Sequence, residues 1–191
     1  FYKELFEIYK LTVSYGTFLK GSPPRITAIK FRNIYTCAFR VGEYDWAKNF
    51  VDTHQDFLSE EGRIISELAY SQFDFQMKDY DSAMERLNSI KTDLYYAKKD
   101  VRRFMLQVHY ERDHLESALS LLGSSRQFIN NNSQIIPGAK DSFIKYINVM
   151  TALVKLKSSP DTKKLALLKK KVESDSLPSR EWILDKISEL E

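Results

Sequence analysis

Three alanines constrain the fold of this chain more than any other feature. Ala47, Ala83 and Ala118 each lie three residues after a large side chain, Tyr44, Tyr80 and Leu115. The alanines are 36 and 35 residues apart. A period near 35 residues is that of stacked helical hairpins, because each unit buries its apolar face only against its neighbours.

The surrounding residues keep the same register. The three blocks read Gly42-Glu43-Tyr44-Asp45-Trp46-Ala47, Lys78-Asp79-Tyr80-Asp81-Ser82-Ala83 and Asp113-His114-Leu115-Glu116-Ser117-Ala118. Each predicts a short polar turn at Gly42, Lys78 or Asp113. An aromatic or Leu then fills the cleft between two antiparallel helices, and an Ala lets the backbones approach. Apolar residues recur at matching places on both sides: Ile34, Tyr70 and Met105 before the turn, Val51, Leu87 and Leu122 after it. Tyr80, Ala83, Met84, Leu87 and Ile90 make one helical stripe at three- and four-residue spacing.

These blocks resemble the tetratricopeptide repeat over residues 25 to 130, in a degenerate form. The closing Pro of that repeat is absent from all three units. The resemblance implies an all-α, right-handed α-solenoid of stacked antiparallel hairpins with about nine helices. It implies three hairpins over 25–130, a helix within 1–24 that continues an upstream repeat, and capping helices over 131–191. It also implies that the first helix of each hairpin lines a concave groove. By that register the peptide-binding residues are Arg32, Thr36 and Arg40, then Gln72 and Gln76 after Leu68, then Arg103, Gln107 and Glu111. Such a polar, mildly basic set suits an extended peptide, whose carboxylates pair with Arg.

Local signals place the helix ends. A helix is expected over 2–20, closed by Gly21-Ser22-Pro23-Pro24, with Ser22 capping the next helix. Ser59 and Asp161 read as caps, Asn130-Asn131-Asn132-Ser133 as a loop ended by Pro137-Gly138, and Pro178-Ser179 as the opening of a last short helix. The segment from Tyr2 to Leu19 is apolar on nearly every side, which calls for a cover and makes it a second candidate for association.

Composition narrows the function classes. With 43% hydrophobic and 29% charged residues the chain has the material for a core, which argues against disorder. A net charge of +3 imposes no nucleic acid or anionic lipid as partner. No run approaches 18 apolar residues, so no membrane span is expected. Cys37 is the only cysteine and lies in an apolar run, which points to a buried thiol and a cytoplasmic setting.

No motif carries catalysis, a cofactor or a metal. His109 and His114 are five residues apart, unlike a four-residue ligand pair, with a turn between them. Lys98, Lys99, Arg102 and Arg103, and the run Lys163 to Lys171, read as solvated helix faces, and the tail run lacks the interleaved aromatics that stack bases. The sequence therefore points to a non-enzymatic interaction scaffold, part of a larger protein, that binds a peptide or an adjoining domain. A helical-repeat RNA-binding module and a regulatory segment of a larger enzyme are the alternatives.

Overall fold

The structure is a computed structural model that describes residues 1–133 and 135–191. The chain divides into two compact units, Phe1–Val101 and Arg102–Glu191. Unit 1 holds α1 (Tyr2–Ser14), α2 (Ala28–Arg40), α3 (Tyr44–His54), α4 (Ile64–Gln76), α5 (Tyr80–Ser89) and the start of α6 (Tyr95–Glu111). Unit 2 holds the rest of α6, then α7 (Leu115–Asn131), α8 (Pro137–Ser158), α9 (Thr162–Ser174) and α10 (Arg180–Ser188). Among the described residues these are ten α-helices with no strand, one more helix than the sequence suggests.

The same turn recurs three times. Gly42, Lys78 and Asp113 all take positive φ, at +85°, +60° and +57°. Around each, the next N–H reaches back five residues to a helix carbonyl: Glu43 to Ala38 at 3.0 Å, Asp79 to Asp74 at 2.9 Å, His114 to His109 at 2.9 Å. The turn residue itself donates three residues back, to Phe39, Phe75 and Tyr110. This paired closure satisfies carbonyls that a helix end leaves open. The following helix then starts identically, with Ala47, Ala83 and Ala118 each donating at 3.0 Å to the carbonyl four residues earlier. All three alanines are fully buried.

The tyrosine beside the first turn does less than expected. Tyr44 is 42% exposed, so it does not fill the cleft. It instead packs on Phe39 at 5.4 Å, as Tyr80 packs on Phe75 at 5.4 Å. The two contacts close the hairpin edge.

Unit 1 is built on Phe31, Ile34, Tyr35, Phe50, Val51 and Ile65. Helix α1 joins it through Phe6, which packs with Cys37, Ala38 and Ala47 and meets Trp46 edge-on at 5.0 Å. Burying one such Phe contributes about 1.5–3 kcal/mol. In unit 2, α8 lies along both α7 and α9, and contributes Phe143, Tyr146, Ile147, Met150, Leu153 and Val154 to the interior.

Several helix ends differ from the sequence reading. The first helix stops at Ser14 rather than near 20, because Gly16 turns the chain at φ +66°. Thr27, not Ser22, caps α2, accepting the Lys30 N–H at 3.3 Å. The turn before it is closed by reciprocal backbone hydrogen bonds of Lys20 and Arg25, both 2.8 Å. Helix α7 continues through Asn130 and Asn131, and Pro137 is the first residue of α8. Ser59 and Asp161 do cap, accepting the N–H groups of Gly62 and Lys164, although Ser59 opens a short 3-10 turn ahead of α4.

Candidate functional site

The groove residues read from the sequence fall in both units. In unit 1, Arg32 is turned inward. Its Nε and Nη2 both donate to Asp100, whose side chain is 3% exposed. Thr36 bonds the Arg32 carbonyl of its own helix at 2.8 Å. Arg40 is exposed, and its guanidinium lies over the Tyr2 ring at 4.5 Å and donates to the Tyr2 hydroxyl.

Helix α4 presents less polar surface than its sequence suggests. Gln72 is buried, donating to the Tyr35 hydroxyl and to the Leu68 carbonyl, both at 3.2 Å. Leu68 is buried with it. A buried amide must be hydrogen-bonded, and these two acceptors serve that need. Gln76, one turn further on, is exposed. Thr36, Arg40 and Gln76 are thus the positions of this set from which unit 1 can offer a side chain to a ligand.

In unit 2 the three α6 residues are engaged by the start and body of α10. The Ser179 hydroxyl accepts from Arg103 at 2.8 Å and donates to Gln107 at 3.3 Å. Glu111 accepts the Trp182 indole proton at 2.7 Å and pairs with the Lys186 ammonium at 3.0 Å. Trp182 also stands edge-on to Tyr110 at 5.4 Å. Burial works against the Lys186 charge, but its bonds to Glu189 and Glu111 outweigh burial and raise its pKa above the ordinary value.

Nothing in the sequence near Arg103, Gln107 or Glu111 announces Ser179, Trp182 or Lys186, which lie 76, 72, 71 or more residues away. The available signal was the four-residue spacing of Trp182 and Lys186, which sets them on one helix face.

Cys37 is buried, and burial pushes its thiol pKa up, away from reactivity. His54 stacks on Phe50 and stands edge-on to Phe18. His109 and His114 have ring centroids 6.1 Å apart, and the His109 Nδ1 is buried with no hydrogen-bond partner. Among the described residues no three His, Cys, Asp or Glu side chains are grouped to hold a metal ion. Among them, too, no helix is long and apolar enough to cross a membrane. Helix α1 and its two flanking residues leave Phe1, Ile8, Leu11 and Tyr15 exposed. Comparison of the chain with protein-family models, curated proteins and solved structures returned no match.

Proposed function

We propose that the chain is a non-enzymatic protein–protein interaction scaffold, a tetratricopeptide-like right-handed solenoid whose hairpins hold a peptide or an adjoining domain on the polar face of their first helices. The observation that carries this reading is the way α6 holds α10. Side chains spaced four residues apart on the first helix of a hairpin grip a helical segment through directional bonds. The thrice-repeated turn supports the solenoid, since equal turns set equal hairpin geometry. Arg40 suits a peptide carboxylate, and its stacking on Tyr2 holds the guanidinium in place before a ligand arrives.

The test uses the full chain immobilised in extract of its source cells. Replacing Arg40 and Gln76 by Ala should reduce recovery of the captured polypeptides severalfold, with little change in melting temperature, because both side chains are exposed. Equal recovery by the double variant would contradict the reading. Capture of RNA in place of protein would favour the nucleic-acid alternative.

A further inference from the structure

We propose that the Arg103, Gln107 and Glu111 face of α6 is a helix-docking site with an exchangeable resident, α10, and that the partner it fits is an amphipathic helix of matching chemistry. This rests on the interaction reading above and names the partner class.

Two stripes meet here. Residues 103, 107 and 111 follow a four-residue spacing on α6, and Trp182 and Lys186 follow a four-residue spacing on α10, just after its N-cap Ser179. The contact is built from directional groups: a hydroxyl between Arg103 and Gln107, and one carboxylate read by an indole N–H and an ammonium. A helix lacking the aromatic donor would leave Glu111, 13% exposed, short of a partner. Ile183 and Ile187 adjoin Trp182 and Lys186 and are fully buried. A replacement helix therefore needs an aromatic N–H donor followed at once by an aliphatic residue, then a lysine and a second aliphatic four residues on.

Helix α10 is suited to leave. It has nine residues, below the roughly 12–15 at which an isolated helix becomes marginal in water. Its N-cap residue, Ser179, sits at φ +54° and makes no side-chain cap bond, because its hydroxyl is engaged by α6 instead. Docking, more than its own propensity, holds it helical. Arg180 ties its root to α9 by donating to the carbonyls of Val172 and Glu173 at 3.1 and 2.9 Å. That root gives the opening helix a fixed pivot. Helix α10 has two buried apolar anchors, Ile183 and Ile187, where α8 has eight buried residues, so it opens locally at less cost than a core helix.

The experiment uses the full chain and a fluorescent synthetic peptide of residues 178–191. Replacing Trp182 and Lys186 by Ala in the full chain weakens the resident helix. This variant should bind the peptide at least tenfold more tightly than the wild type, and adding Glu111→Gln should abolish the gain. A peptide with Trp182 and Lys186 changed to Ala should not bind. Equal binding to wild type and variant, or no binding to a folded variant, would overturn the proposal. If the variant does not fold, amide hydrogen exchange of the wild type decides. Amides of 183–188 should exchange at least tenfold faster than those of 165–172, and exchange at one common rate would overturn it. The Arg40 and Gln76 capture test lies in unit 1, so its outcome separates failure of this proposal from failure of the interaction reading.

Discussion

Arg32 and Asp100, 68 residues apart, form an ion pair inside unit 1, with two guanidinium nitrogens converging on one carboxylate oxygen. Arg32 has the residue type that suits an external carboxylate, and the fold supplies that carboxylate from within, at the start of α6. Removing the cation leaves a buried charge. Arg32→Ala should cost about 3–5 kcal/mol, the usual loss on breaking a buried pair. Arg32→Met with Asp100→Leu should recover most of it, since paired apolar groups need no desolvated charge. Urea denaturation of the three proteins checks this, and a loss below about 1 kcal/mol in Arg32→Ala would show the pair to behave as a surface one.

The three turns make a second expectation. Lys78 and Asp113 take the left-handed conformation that Gly42 takes freely. Lys78→Gly should therefore raise stability by about 1 kcal/mol. Gly42→Ala should lower it by about 1 kcal/mol through backbone strain alone, because an added Cβ meets nothing within 4 Å. Thermal unfolding of both variants reads the two opposite shifts. Shifts of the same sign would contradict the assignment of φ at these turns.

These turns show what the sequence could and could not reveal. Their positions were legible from the alanine register, although only Gly42 announces its φ by residue type. The groove was legible in part. Arg40 and Gln76 lie at the surface, but Gln72 fits a polar face and an interior hydrogen bond equally well by spacing. Only the Tyr35 hydroxyl across from it decides, and that contact spans 37 residues. Ser22 drew the cap of α2 too early because Pro23 and Pro24 follow it, whereas the chain turns first and Thr27 caps. The spacing of Trp182 and Lys186 puts them on one helix face, but nothing local names their partner, which lies on a distant helix.

Acid should destabilise the fold through His109. Its imidazole is partly buried, with Nδ1 unpartnered, and burial first, then the charges of His114 and Arg112, hold its pKa below the ordinary 6.5. The folded state thus binds a proton less readily than the unfolded state. Its stability contribution is complete above the unfolded pKa and is lost as pH falls from there toward the folded pKa. The urea midpoint should fall between about pH 7.5 and about pH 5.5. His109→Phe should flatten part of that slope. A variant with the wild-type slope would remove His109 from the account.

The central claim is that the first-helix face of a hairpin, and not its outer face, receives a polypeptide partner. Site-specific photo-crosslinking tests it most directly. A photoreactive residue placed at Gln76 on α4 should trap the captured polypeptide, while the same residue at Glu85 on α5, also exposed and in the same hairpin, should not. Crosslinks of equal yield at both positions, or at Glu85 alone, would contradict the claim.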